Sequence, residues 1–338
     1  MLGIISDHDR RSLDITPTYT ISKEVVFQQT AWRLLACCNS RDRFRLLRFA
    51  GVGKSRNLDS LPSWVPDWTA GLQEFVIESR STSSPFRASS RPPQPVTFIC
   101  SHPGGIPSAI QISGMFLDEI VFLQDISRSP LSDALRRASS HPSTTTKYRS
   151  LEDAFWRTLL TDCATRGRPA SSSKIADYKA TMTRYDHLRF KDESSLSESE
   201  LHERTVLHGL ITMARSQDRM YSHLLTEDLG KGLQDRGGDI CSMFSESADA
   251  SKVQITEPSA GRQFCVTMTG YMGLVPRLSK EGDAVVVFDG ARTPHVLRSG
   301  NGENEGEGRN EFQLVGECYI HGAMDGQVIA AVENFTIV

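Results

Sequence analysis

Long apolar runs are missing from this 338-residue chain. None approaches the roughly 18 to 20 residues that a membrane span requires, so no spanning helix is expected. Charge of one sign is missing as well. The 38 Lys and Arg against 41 Asp and Glu leave a formal net charge of -3, which gives no global attraction to nucleic acid or anionic lipid. Paired cysteines are absent. The seven cysteines are odd in number and show no Cys-x-x-Cys spacing, which excludes paired-thiol zinc and redox motifs and points to reduced, buried thiols. The N-terminus lacks an apolar signal core, since Asp7, Asp9, Arg10 and Arg11 follow soon after Met1. The expectation is a cytoplasmic protein.

Catalytic fingerprints are equally scarce. No Gly-x-Ser-x-Gly elbow and no Gly-x-Gly-x-x-Gly loop occurs. His202-Glu203 meets Val206 where a zinc helix would place its second histidine, because both imidazoles must share one helix face. Gly51-Val52-Gly53-Lys54-Ser55 suggests a phosphate loop, but Arg48 stands where the first glycine belongs, and Leu61-Pro62 blocks a following helix. No catalytic residue, cofactor or metal is therefore assigned.

What the chain does have is concentrated in its last fifth. The runs Phe264 to Leu274, Ala284 to Phe288 and Phe312 to Ile320 are rich in β-formers and bounded by Gly, Pro or Asp. On the last run, strand alternation puts Leu314, Cys318 and Ile320 on one face and Val315, Glu317, Tyr319 and His321 on the other. The acid, phenol and imidazole in line either form a hydrogen-bonded polar face or serve a small enzyme or ligand binder. Cys318, His321 and Asp325 have the residue types of a thiol dyad and its orienter, but Cys318 and His321 fall on opposite faces.

Taken in order, Ser22 caps a helix carrying Phe27, Ala31, Leu34, Leu35 and Cys38 at helical spacing. Arg41, Arg43, Arg45 and Arg48 alternate with Phe44 and Phe49. In an acidic chain that pattern reads as a solvated face; its other reading is a grip on single-stranded nucleic acid. In Leu61-Pro62-Ser63-Trp64-Val65-Pro66-Asp67-Trp68 the prolines hold the backbone extended, giving a clasp whose tryptophans lie across a core. Residues 79–95 are Ser/Pro-rich and read as a linker. Val96 to Cys100 and Ala109 to Leu123 form a hairpin, interrupted near Gly114, that must pair with the C-terminal strands because a lone hairpin is marginal.

Between these β regions, caps at Ser129-Pro130, Ser150 with Asp153, and Ser197 with Glu200 start helices. The stripes Leu151, Ala154, Phe155, Leu159 and Leu207, Leu210, Ile211, Ala214 need the sheet to cover them. Ser139 to Thr146, Gly167 to Ser173 and Asp192 to Ser199 read as polar breaks. The fold class is α+β, a small antiparallel sheet or barrel from strands in 96–123 and 262–337, with a helical insertion over 129–228 and an N-terminal helix. Residues 1–78 form the N-terminal part, 96–338 the body, and 299–311 a flexible acidic loop.

The Trp64-Val65-Pro66-Asp67-Trp68 segment closely resembles the one that follows the signature domain in fungal heterokaryon-incompatibility (HET domain) proteins. More segments fall in the same order: Phe155-Trp156-Arg157-Thr158-Leu159, Gly273-Leu274-Val275-Pro276, Gly282-Asp283, Pro294-His295-Val296-Leu297-Arg298, and Gly316-Glu317-Cys318-Tyr319 through His321-Gly322 to Met324-Asp325-Gly326. The resemblance covers nearly the whole chain. It marks Trp64, Pro66, Asp67, Trp68, Arg157, Gly273, Gly282, Asp283, Glu317, Tyr319, His321 and Asp325 as packing or interaction residues. The family's Ala-Leu-Ser-Tyr and Asp-x-x-Cys-Ile-Asn-Gln segments do not occur here. The expectation is thus a body without its Toll/interleukin-receptor-like effector head, Met1 being a natural start, a truncated gene product or a fragment's end. The resemblance implies non-self recognition and regulated cell death for full-length members, and for this chain a noncatalytic recognition or scaffold role. Its partners would be proteins, with no nucleic acid.

Overall fold

The computed structural model describes residues 20–37, 44–53, 56–70, 85–102, 104–163, 168–216, 261–300 and 311–338, without the side chains of 210–216. Helix α1, Lys23–Cys37, starts where its cap predicts. Ser22 accepts the Val26 amide at its carbonyl (3.1 Å), the first bond of the helix, and the Val25 amide at its hydroxyl (3.4 Å), a donor that a helix start leaves open. Ala31 and Leu35, one turn apart, are its buried face.

The strands are β1 Thr97–Cys100, β2 Pro107–Gln124, β3 Arg262–Thr267, β4 Met272–Pro276, β5 Ala284–Phe288, β6 His295–Ser299, β7 Glu311–Glu317, β8 Tyr319–Ile320 and β9 Val332–Ile337. They make one nine-stranded sheet organised around β2. The first half of β2 pairs with β1 and β9, its middle with β5, and its end with β3, which continues to β4 and β8. Because β5 runs on through β6 and β7 to β9, the ladder returns to β2 and closes a ring. The expected pairing of the 96–123 strands with those after 262 is present. One ladder departs from the antiparallel expectation: β7 and β9 run parallel, with Glu311 beside Thr336 and Phe312 beside Ile337. The chain between them makes a full crossover, as parallel neighbours require.

β2 serves so many partners because it bends. Its register shifts between Phe116 and Asp118 and between Ile120 and Phe122, where bulges increase twist. Gly114 does not interrupt the strand. A Cβ there would sit 2.8 Å from the Val287 carbonyl oxygen, so glycine lets β5 approach closely. The run 264–274 is two strands, split at a turn where Gly270 has φ +86°. The strands β6 and β9 carry too many polar residues, Arg298, Glu333 and Asn334 among them, to stand out by pattern.

Helices α2 Leu131–Ser140, α3 Pro142–Lys147, α4 Leu151–Leu159, α5 Ser172–Phe190 and α6 Glu198–Ser216 lie between β2 and β3 in the chain. The predicted starts at Ser150 and Ser197 hold with their caps, whereas α2 begins after Ser129-Pro130 with Pro130 in the cap position and no side-chain cap bond. Ser150 accepts the Asp153 amide, and Ser197 and Glu200 exchange amide bonds at 3.0 and 3.2 Å as a reciprocal capping box. Those bonds and Lys191 hold the Glu200 carboxyl down to about 2. Two expectations need correction. α3 occupies most of the supposed break at Ser139 to Thr146, and α5 begins inside the one at Gly167 to Ser173. The buried residues of α5 are Ile175, Met182, Tyr185 and Leu188, which with half-buried Tyr178 lie at helical spacing on one face. Among the described residues no helix is long and apolar enough to cross a membrane.

The core has three clusters. One joins the helices to β3, β4 and β8 through Phe155, Leu159, Leu188, Phe264 and Tyr319; a second gathers Leu35, Trp64, Ile110 and Phe288; a third holds Val285, Val287, Val315 and Cys318. His295 lies fully buried against Phe288, ring centroids 5.0 Å apart. Burial pushes its pKa down from 6.5 to about 3, with the Thr293 backbone opposing and Arg48 assisting. The folded ring stays neutral while the unfolded one gains a proton. Its stabilising contribution is therefore intact above about pH 6.5 and is lost as pH falls toward 3. His295→Phe is expected to flatten that part of the pH–stability curve, measured by denaturant unfolding from pH 7 to 4.

Candidate functional site

The residues with most chemistry converge where the helical layer meets the end of the sheet. Helix α4 ends in two consecutive residues with positive φ, Thr161 (53°) and Asp162 (51°). A non-glycine pair in this region is strained and stands only where surrounding bonds impose it. Those bonds are present: the Asp162 amide donates to the Arg157 carbonyl (2.7 Å), and the Asp162 carbonyl accepts the Ala170 amide (3.0 Å). The turn aims the Asp162 carboxylate between two arginines. Arg157 reaches it at 2.7 Å and also donates to Asp153 (2.7 Å) and the Ala170 carbonyl (2.9 Å). Arg168 lies 3.7 Å from its other oxygen and donates to Asp325.

Arg168 also covers the Phe86 ring at 5.3 Å, and Phe86 meets Tyr319 edge-on at 6.1 Å. The Tyr319 hydroxyl lies 3.0 Å from His321 Nδ1, and the Tyr148 hydroxyl donates to the His321 carbonyl (3.0 Å) while accepting the Met272 amide (3.0 Å). Burial raises the Tyr319 pKa, partly offset by Arg168. Burial lowers that of His321; Asp162 opposes this, and Arg168 and Arg157 reinforce it. Both are held neutral.

Of the residues singled out from sequence, Arg157, Tyr319, His321 and Asp325 meet here. The others do not. Glu317 is buried with Arg262, which donates to the Glu317 carbonyl (2.7 Å) and approaches its carboxylate (3.4 Å). The single alternating face from Val315 to His321 is broken, because Gly316 has φ +151° and β7 ends before Cys318. Val315 then packs in one cluster with Cys318 and Ile320, and Tyr319 in another. Burial raises the Cys318 thiol, which argues against a nucleophile.

Asp283 grips Arg298 through both oxygens at 2.8 Å, beside Gly282, whose φ of +89° suits glycine. Gly273 lets β8 approach, since a Cβ there would lie 2.6 Å from the Tyr319 carbonyl oxygen. Gly273 serves packing, whereas Gly282, with open space where a Cβ would stand, serves its backbone conformation.

The clasp lies against the sheet but turns rather than extends: Val65 donates to Pro62 and Ala70 to Asp67. Trp64 is fully buried, while Trp68, beyond Pro66, meets Phe27 edge-on at 5.1 Å. Ser63 accepts the Leu314 amide (2.8 Å) and donates to the Val338 carbonyl, which ties clasp to C-terminus. Burial pushes the Asp67 carboxyl up, but bonds from Thr69, Asn57 and Leu58 outweigh it and hold the pKa low.

Two further readings change. Arg48 is buried at 4 % exposure and Phe49 exposed at 39 %, so this arginine is neither on a solvated face nor placed to grip nucleic acid; Arg41 and Arg43 lie outside the described residues. Gly51 and Gly53 do not cradle phosphate. They lie against β7, where a Cβ on either would collide with the Val315 carbonyl oxygen. Of residues 79–95, those from 85 onward are described, and they form a packed strap. Phe86, Ala88 and Ser89 are buried, and amides 87, 88 and 89 bond to Met324, Arg292 and Ala291. The loop 301–310, Cys38 and the end of the helical insertion lie outside the described residues.

Sequence reasoning missed Asp162, Arg168, Phe86 and Tyr148. The local signal at Arg168 was the proline that follows it, Pro169; none marked the others. Among the described residues no group of three or more His, Cys, Asp or Glu could hold a metal ion.

Fold and site together define an α+β protein whose helical insertion is locked to a ring-closed sheet by a network of arginines and aspartates. The chain belongs to the Het-6 beta-barrel domain family, which matches residues 116–337. It is 25 % identical over 360 aligned residues to heterokaryon incompatibility protein 6, OR allele, of Neurospora crassa, an alignment covering 99 % of this chain and 48 % of that protein. The chain spans about half the length of that relative. No solved structure matches it.

Proposed function

We propose that this chain is a noncatalytic recognition or scaffold region of a heterokaryon-incompatibility-type protein, acting in fungal non-self recognition through protein contacts. Its family and the name of its Neurospora relative support that setting. The observation that carries the noncatalytic part is that the capable groups are engaged chiefly with one another. Arg157 is held by Asp153, Asp162 and the Ala170 carbonyl, Arg168 by Asp325 and Asp162, and His321 by Tyr319 at its ring and Tyr148 at its backbone carbonyl. Groups so engaged fix one element against another; a general acid or base needs a partner still to be met.

The network joins α4, the segment entering α5, the 85–93 strap and the turn after β8. A partner that bears on the helices would thereby act on the sheet. The test is the native gene carrying His321→Gln or Tyr319→Phe, with the encoded protein checked for unchanged melting. The incompatibility reaction is expected to change by less than about twofold. A positioned acid or base contributes about 100-fold or more, so loss of the reaction with a folded His321→Gln protein would overturn the noncatalytic reading in favour of a small enzyme or ligand binder.

A further inference from the structure

The most anomalous surface of the molecule is the approach to β9. Between Asp325 and Glu333 the chain carries no charge, and within it Ile329 is 96 % exposed and Val332 42 % exposed, with Ala330 and Ala331 exposed between them. A single exposed aliphatic residue is ordinary, but a continuous run of them is not. The backbone is open too. Among the described residues the amides and carbonyls of residues 328–331 make no hydrogen bond, although the segment leads directly into β9. The buried Val328 (7 %) anchors its start and the β9 pairing with β2 its end. It is an exposed segment with open backbone groups, continuous with a strand and held at both ends.

We propose that this segment pairs antiparallel with the same segment of a second copy of the chain, across a two-fold axis at Ala330. Val328-Ile329-Ala330-Ala331-Val332 reads almost the same in both directions. The axis sets valine opposite valine, Ile329 opposite Ala331 of the second copy, and alanine on alanine at the centre, where small side chains let the backbones close. Charge permits it: Glu333 falls opposite Gln327 and Asp325 opposite Phe335, so no like charges oppose each other. A heterologous strand would need positive flanks to answer Asp325 and Glu333; the second copy needs none. So few residues bury far less than the roughly 1,200 to 2,000 Å² of a stable interface, and the dimer is therefore weak and concentration-dependent.

Sedimentation velocity from about 5 to about 500 µM tests this. The wild-type chain is expected to move from monomer toward dimer across that range. Ile329→Lys, which removes no intramolecular packing, is expected to keep its melting temperature and weaken association at least about tenfold. Ala330→Cys supplies the register. Directly opposed strand residues sit about 4.5 to 5.5 Å apart at Cα, within disulfide reach, so mild oxidation should yield a peptide linked 330 to 330, whereas Gln327→Cys should give no link to itself. A chain monomeric at every concentration, or a dimer indifferent to Ile329→Lys, overturns the proposal. A linkage pattern centred on another residue overturns the two-fold at Ala330.

Discussion

Trp64→Ala is expected to cost about 3 to 5 kcal/mol of unfolding free energy, the range for deleting a fully buried aromatic ring. Nothing in the helical layer is involved. Trp64 is fully buried in the cluster that gathers α1, Ile110, Phe288 and Leu314, and its indole nitrogen reaches the Ser108 carbonyl at 3.4 Å. Removing it opens a cavity among elements far apart in the chain. That figure is a large share of the roughly 5 to 15 kcal/mol by which domains are stable. Trp64→Phe keeps most of the buried area and should lose clearly less. Guanidinium unfolding monitored by far-UV circular dichroism decides. A loss under about 1 kcal/mol for the alanine variant would mean that the clasp is not part of the cooperative core.

Arg262→Ala is expected to have an effect of similar size for an electrostatic reason. Arg262 and Glu317 are each 2 % exposed, and the guanidinium sits between the Glu317 carbonyl and carboxylate. Removing the cation takes the Arg262 charge away from a buried carboxylate, which costs about 3 to 5 kcal/mol. Replacing both partners by apolar residues, Arg262→Met with Glu317→Leu, should recover most of that loss, because the desolvation cost of both charges disappears as well. Exposure sets the contrast. Arg136 and Asp133 are paired with side chains 72 % and 41 % exposed, and Arg136→Ala should cost less than about 1 kcal/mol. Urea midpoints for these variants separate the two cases. Equal losses at both pairs would contradict the role given to burial.

How much was legible in the sequence depends on how far a signal reaches. Ser22, Ser150 and the Ser197–Glu200 box announced helix starts because a cap bonds to amides within one turn of itself. The joining of the first hairpin to the C-terminal strands was also inferable, since a two-stranded ribbon cannot stand alone. The α5 helix was missed although Ile175, Tyr178, Met182, Tyr185 and Leu188 recur at helical spacing on one face, because the polar stretch that holds its cap, Ser171, read as a break. The alternation read on Val315 to His321 failed at Gly316, whose positive φ redirects every side chain after it. In the candidate site, family resemblance pointed to Arg157, Tyr319, His321 and Asp325. It did not point to Asp162 or Arg168, which bring those residues into one network.

By itself the sequence determined the fold class, the family resemblance, the helix starts and most strands, all of which depend on neighbours a few residues away. Only the tertiary structure decided that β5, β6, β7 and β9 return to β2, that Arg48 lies inside while Phe49 lies outside, and that residues 85–89 of a Ser/Pro-rich stretch pack against the body through Phe86, Ala88 and Ser89. It alone set Arg168 between Asp162 and Asp325 and left Ile329 in solvent. The physical reason is that burial, closure and ion pairing are properties of pairs distant along the chain. Residue types near each member say what it can do, and the partner that packing supplies says what it does.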